Sequence, residues 1–178
     1  EVISCRELSG YFLPEQMKSE AYVDRPCKTD WSALKGDESL LGAVHQSAPH
    51  MYCRLMEILD VKPGDAVLNV GSGTGYLSTL FAYFSGDEGI NHGIECFQPN
   101  VDFAKKKAMS AFMEGHLRHF FCVPHSSFAA SCKGTGKFPA ITFRYGNIFN
   151  LDTSTNILYD RIYGQLVLFD VDGPNIYV

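Results

Sequence analysis

Val67-Leu68-Asn69-Val70-Gly71-Ser72-Gly73-Thr74-Gly75 is the stretch that decides the fold. Ala66 to Val70 is a short, mostly apolar run, and such a run suits a strand buried on both faces of a parallel sheet. The glycines at 71, 73 and 75 permit a sharp turn and let a ligand touch the main chain. Tyr76 to Phe84 returns to a helix, whose free N–H groups point back at that ligand. Gly89 to Glu95 reads as a second strand that ends on an acid, 20 residues after Gly75. A carboxylate there can accept hydrogen bonds from ribose hydroxyls. Strand, glycine turn, helix, strand and acid together point to a nucleotide-like ligand at the carboxyl ends of parallel strands.

Three readings of the turn stand open. A dinucleotide site wants G-x-G-x-x-G, whereas this turn is G-x-G-x-G with Tyr76 in the last glycine's place. S-adenosylmethionine (SAM) has no phosphates, so its turn need not cradle a pyrophosphate, and it is the preferred ligand. The third reading is a structural glycine turn with no ligand.

Further along, Val101 to Met113 reads as a helix with Val101, Ala104, Ala108 and Phe112 on one face. Ala140 to Tyr145 is a third strand and Tyr159 to Tyr163 a fourth. Strands alternating with helices imply parallel βαβ units, hence a Rossmann-like, doubly wound α/β fold. Residues 116–139 hold Ser126, Ser127, Ser131, Gly134 and Gly136 and read as an extended loop. Upstream, Ser47 is expected to cap a helix opened by Pro49. Met51, Leu55, Ile58 and Leu59 fall on one face of it, and Lys62-Pro63-Gly64-Asp65 ends it. Residues 1–46 are mixed and polar, broken by Pro14, Pro26 and Gly36, and short helices and loops are expected. They read as a segment of the same domain, with the ligand-binding domain proper over 47–178.

The bulk numbers fit one globular domain. The chain has 178 residues, 46% of them hydrophobic and 20% charged, with a net charge of −5. A disordered chain is more charged and less apolar, and a general nucleic-acid binder is more often basic. No apolar run approaches the roughly 18 residues that cross a bilayer. No basic-then-apolar leader opens the chain. Neither a nucleic-acid partner nor a membrane is therefore expected. The six cysteines at 5, 27, 53, 96, 122 and 132 show no C-x-x-C spacing and read as reduced thiols of a cytoplasmic protein. His116 and His119 are i, i+3 without a third ligand, so no metal is expected.

Four segments in order carry a family resemblance: Ser47-Ala48-Pro49-His50-Met51, the Val67–Gly75 block, Gly93-Ile94-Glu95, and Tyr159-Asp160-Arg161-Ile162-Tyr163. The chain resembles the protein-L-isoaspartate O-methyltransferases from about residue 1 to about 163. Its glycine block and Gly89–Glu95 are most similar to the branch called protein-L-isoaspartate O-methyltransferase domain-containing proteins. The resemblance implies SAM as cofactor and methylation of isoaspartyl residues in damaged peptides and proteins. It implies Ser47 as the active-site hydroxyl and places Val44, His45 and Gln46 where the family wraps cofactor and peptide. It implies cofactor contacts at Ser47, Gly71, Ser72, Gly73, Thr74, Gly75, Glu95, Cys96, Asn147 and Ile148.

The pattern departs in places. Asn69 and Asn147 replace residues that are Asp in active members, and Tyr52 stands where those members have a second histidine. Two lost carboxylates change the field around a cationic cofactor. Gly164 to Asp170 does not follow the family, so the last three strands are expected to be missing, as in a truncated or alternatively spliced product. A SAM-binding adaptor that recognises damaged proteins for a partner is therefore the second functional expectation. On their own, Ser47 also reads as an ordinary cap, His50 as a helix residue without chemistry, and Asp160 as a local cap or pair.

Overall fold

The computed structural model describes residues 8–28, 45–113, 141–150 and 157–164, with the backbone of 168–169 and 176–177. A short helix α1 (8–11) and a 3-10 helix over Glu15–Tyr22 lead to β1 (Cys27–Lys28), which pairs antiparallel with β2 (His45–Gln46). There follow α2 (Pro49–Leu59), β3 (Ala66–Val70), α3 (Tyr76–Ser85), β4 (Ile90–Glu95), α4 (Gln98–Met113), β5 (Ile141–Tyr145) and β6 (Arg161–Gly164). The expected strands and helices are all present, with ends displaced by one to three residues. Residues 116–139, and with them His116 and His119, lie outside the described residues.

The main sheet has the order β5-β4-β3-β6, and all three pairings are parallel. The Rossmann-like α/β expectation holds. Strand β3 is central, and the chain runs outward from it through β4 to β5 and then returns to its other side as β6. That reversal puts a crevice at the carboxyl end of β3, where ligands of such sheets bind. Strands β7 (Leu168–Phe169) and β8 (Ile176–Tyr177) pair only with each other, antiparallel, in a separate two-stranded sheet.

One large cluster joins Phe12, Tyr52, Val67, Tyr76, Phe81, Val101, Ala104 and Phe143. Phe12 is completely buried although it precedes the sheet by more than fifty residues. A second cluster packs Leu13, Met17, Ala21 and Cys27 against Phe103 of α4. Val101, Ala104 and Ala108 form the buried face of α4 as expected, while the Phe112 side chain is outside the description.

Three expectations need correction. The cap position of α2 is Ala48, not Ser47, and the cap residue's own side chain makes no bond, while the first-turn His50 N–H donates to the Asp24 carboxylate at 3.1 Å. Pro49 supplies the first turn, Ala48 is extended at φ −59° and ψ 144°, and Ser47 therefore sits one residue too early to cap. The inner face of α2 is Tyr52, Leu55, Met56 and Leu59, whereas Met51 and Ile58 are exposed. The true face keeps the i, i+3, i+4, i+7 spacing but is anchored on an aromatic one residue after Met51. Asp160 pairs at long range. Its carboxylate accepts from the Ala66 N–H at 2.9 Å, and its own N–H donates to the Ala66 carbonyl at 2.8 Å. Among the described residues no helix is long and apolar enough to cross a membrane.

Candidate functional site

The glycine turn is held by the strand beside it. The Gly71 and Ser72 N–H groups both donate to the Ile94 carbonyl, at 2.8 and 3.0 Å, and Gly75 N–H closes the turn on Ser72 O at 2.9 Å. All three glycines have positive φ, from 51° to 88°. They differ in what faces them. A Cβ on Gly73 would meet nothing within 4 Å, so that peptide looks into open space. A Cβ on Gly75 would lie 2.9 Å from the Phe143 ring and 3.0 Å from Ala104, so Gly75 lets helix and sheet close together. Gly93 serves the same end, since a Cβ there would press on Phe143 and Ser72.

Glu95 is buried and tied to the turn. One carboxylate oxygen accepts from the Gly73 N–H at 2.8 Å, and the other accepts from the Phe97 N–H at 3.1 Å and the Cys96 thiol at 3.4 Å. A carboxylate offers about four lone-pair sites, which leaves capacity for ligand hydroxyls. Burial, and then the Glu95 carboxylate, push the Cys96 thiol up to about 12. Cys96 is thus a neutral donor and not a nucleophile. Gly146 N–H donates to Glu95 O at 3.0 Å, bringing the end of β5 alongside. Asn147 folds its side chain back, accepting from Phe149 N–H at 3.0 Å, and Ile148 begins a 3-10 turn, Ile148–Asn150.

The short strand β2 and Ser47 cross in front of the turn as a strap. Gln46 is buried, bonds through its Nε2 to the Ser9 carbonyl and hydroxyl, and accepts from Thr74 Oγ1 at 3.4 Å. His45 is half-buried, and burial, then Lys28, lower its pKa and favour the neutral ring. Strap and turn enclose a cleft lined by His45, Ser47, Tyr52, Asn69, Gly71, Ser72, Gly73, Thr74, Tyr76, Leu77 and Tyr163. Of the expected site residues, His45, Gln46, Ser47, Gly71, Ser72, Gly73, Thr74 and Glu95 thus gather at one place. Gly75 turns toward the core, Cys96, Asn147 and Ile148 flank Glu95, and Val44 lies outside the described residues.

Sequence reasoning did not assign Tyr52, Asn69, Tyr76, Leu77 and Tyr163 to the cleft wall. The sequence held a signal for two of them: Asn69, a polar residue in an apolar strand, and Tyr52, which stands where the family resemblance expects a histidine. The Asn69 Nδ2 donates to Ser78 Oγ at 2.9 Å. Its Oδ1, with Ser72 Oγ and His45 Nδ1, is a buried polar atom with no partner among the described residues. All three residues line the cleft, and a polar ligand that reached these atoms would supply the missing partners. Among the described residues no group of three metal-ligating side chains occurs.

A family model described as protein-L-isoaspartate(D-aspartate) O-methyltransferase matches residues 8–115. The Arabidopsis thaliana protein-L-isoaspartate O-methyltransferase 1 is 41% identical over 115 residues, which cover 61% of this chain and 44% of that protein. The Methanococcoides burtonii protein-L-isoaspartate O-methyltransferase is 33% identical over 94 residues, 53% of this chain and 41% of that protein. Two solved structures share the fold. A protein-L-isoaspartate O-methyltransferase superposes with a TM-score of 0.57 at 18% identity, over 88% of this chain and 39% of its own. A Plasmodium falciparum protein assigned to the same enzymes, solved with S-adenosyl-L-homocysteine, gives 0.56 at 21% identity, over 88% and 60%. The chain thus spans less than two thirds of the length of each of these relatives.

Proposed function

The chain belongs to the protein-L-isoaspartate(D-aspartate) O-methyltransferase family, and from that membership we propose that it is a SAM-dependent carboxyl methyltransferase acting on isoaspartyl residues of damaged proteins. The observation that carries this reading is the convergence of the glycine turn, Glu95 and the Ser47 strap on one cleft, three of whose lining residues hold unpartnered buried polar atoms. Bound SAM supplies a methyl group on a sulfonium sulfur. Glu95 and the Gly73 peptide suit its ribose end, and Asn69, Ser72 and His45 suit its polar remainder.

The protein's own task is positioning. The substrate carboxylate is the nucleophile, so no side chain need take a proton before attack, and holding the reactants together supplies most of the acceleration. The Ser47 hydroxyl is placed to orient that carboxylate by a hydrogen bond. The walls, with Tyr52 buried and Tyr163 half-buried, limit water at the reacting oxygen. The free thiols Cys27, Cys53 and Cys96 suit a reducing, cytoplasmic setting.

One observation favours a second reading. Asn69 is fully buried as a neutral carboxamide where the resemblance expects a carboxylate, and its amide is already committed to Ser78. A cleft without that charge still suits SAM, as part of an adaptor that recognises damaged proteins. Radiolabelled methyl transfer from SAM to an isoaspartyl peptide, with the aspartyl peptide as control, separates the two. Transfer to the isoaspartyl peptide alone is the expected result, with Ser47→Ala lowering turnover about 10- to 100-fold and leaving SAM affinity unchanged. SAM binding without transfer would favour the adaptor, and absence of SAM binding would defeat both readings.

A further inference from the structure

Tyr52 comes from the first turn of α2 and reaches the cleft. Its side chain is buried, and its ring packs edge-to-face on Tyr76, the first residue of α3, with centroids 5.1 Å apart and planes at 78°. Its hydroxyl oxygen accepts the Ser47 N–H at 2.9 Å. That bond occupies an unusual place. Ser47 precedes the cap residue of α2, so its N–H is outside the helix ladder, and the cap residue's own side chain makes no bond. The first ladder bonds at this end, from the Met51 and Tyr52 N–H groups, go to the Ala48 carbonyl, one residue further on.

We infer that Tyr52 is a positioning residue, whose phenol oxygen fixes the Ser47 backbone over the glycine turn and thereby sets where the Ser47 hydroxyl stands. The strap has two ties. On one side Gln46 holds it to Ser9 and Thr74. On the other only the Tyr52 hydroxyl holds Ser47 among the described residues. The Tyr76 ring stiffens this second tie, because it fixes the Tyr52 ring against the helix that follows the turn. Turn, helix start and strap therefore move as one unit, which is what a site that works by orientation requires. Burial pushes the Tyr52 phenol up to about 12, while the Ser47 backbone and side chain pull the other way. The hydroxyl consequently keeps its proton at neutral pH. It accepts the Ser47 N–H as a neutral phenol.

This inference rests on the proposed cleft function for its purpose, but the tie itself can be tested without a ligand. Tyr52→Phe deletes one oxygen and keeps the ring. Amide hydrogen exchange, resolved by residue, should show Ser47 exchanging about 10-fold faster in the variant. The Gly71 and Ser72 amides, bonded to Ile94, should not change. Turnover of an isoaspartyl peptide should fall about 3- to 10-fold in the variant, with S-adenosyl-L-homocysteine affinity by calorimetry unchanged and a melting temperature within a few degrees of wild type. A Ser47 amide equally protected in both proteins would overturn the tie. Faster Ser47 exchange with undiminished turnover would overturn its role in positioning. Wild type that binds no S-adenosyl-L-homocysteine would count against the proposed function, and the exchange rate would still decide for or against the tie. A variant that loses protection throughout is replaced by Tyr52→His, which keeps a ring but cannot reach Ser47 with the same geometry, and the same Ser47 comparison applies.

Discussion

Gly73 and Gly75 look alike in the sequence and do opposite work. Both have positive φ, where an alanine costs about 1–2 kcal/mol. Gly75 adds a clash with Phe143 and Ala104, so Gly75→Ala should lose about 2–5 kcal/mol of stability once overpacking is included. Gly73→Ala meets no protein atom, and its larger effect should fall on SAM affinity. Urea unfolding and calorimetry on the two variants check this; equal loss of stability would refute the division. Glu95 belongs to the same scale. Glu95→Ala should weaken SAM by about 1.5–3 kcal/mol, the range for a hydrogen bond to a charged group. It also orphans the Gly73 N–H, so affinity should be measured together with the melting temperature. Unchanged affinity would take Glu95 out of the site.

Among the elements, β6 is short and depends on Asp160, which precedes it, and on Arg161, its first residue. Asp160 clamps the start of β3, and Arg161 donates through Nε to the Leu59 carbonyl at 2.6 Å, answering a free carbonyl at the end of α2. Arg161 also lies 3.7 Å from the Asp65 carboxylate. Three elements are joined at the end of the sheet opposite the cleft, so these conserve its strand order and not its chemistry. Asp160→Ala leaves the Ala66 N–H buried without an acceptor and should cost about 1–3 kcal/mol. Asp160→Asn keeps an acceptor oxygen and should recover most of that. If Asn were as damaging as Ala in urea unfolding, charge beside Arg161 would be the cause instead.

For the whole molecule, two half-buried imidazoles make stability depend on pH. Burial, and then Arg144, hold His92 below its ordinary 6.5, and burial with Lys28 does the same for His45. His92 Nδ1 lies 2.7 Å from the Tyr159 hydroxyl, a link between β4 and the residues that lead into β6. The unfolded chain takes up these protons as pH falls through 6.5, while the folded chain resists until its lower pKa values. Stability from this source is therefore complete above pH 6.5 and is lost as pH falls below it. The urea midpoint should drop between about pH 7.5 and 5.5, and the drop should shrink in His92→Gln. An identical drop in the variant would assign the loss to other groups.

Local rules read along the chain reach a few residues, and within that reach they were sufficient. Apolar runs, a glycine turn and an acid at the end of the next strand defined β3, α3, β4 and their parallel order, because period and turn chemistry act over short separations. The glycine turn and Glu95 were legible for the same reason, whereas the place of His45, Gln46 and Ser47 beside the turn followed only from the family resemblance. Tertiary structure alone decided the rest. The Asp160–Ala66 clamp spans 94 residues and the Gln46–Ser9 tie 37, and no local pattern encodes either. The inner face of α2 turned on where Tyr76 and Phe12 stand, which moved its anchor from Met51 to Tyr52. Ser47 lost its cap role because Pro49 and the extended Ala48 set the helix start, and its N–H found its acceptor in the Tyr52 hydroxyl. A residue's type limits what it can bond to, but which partner lies within 3 Å is settled only when distant segments bury their apolar faces together.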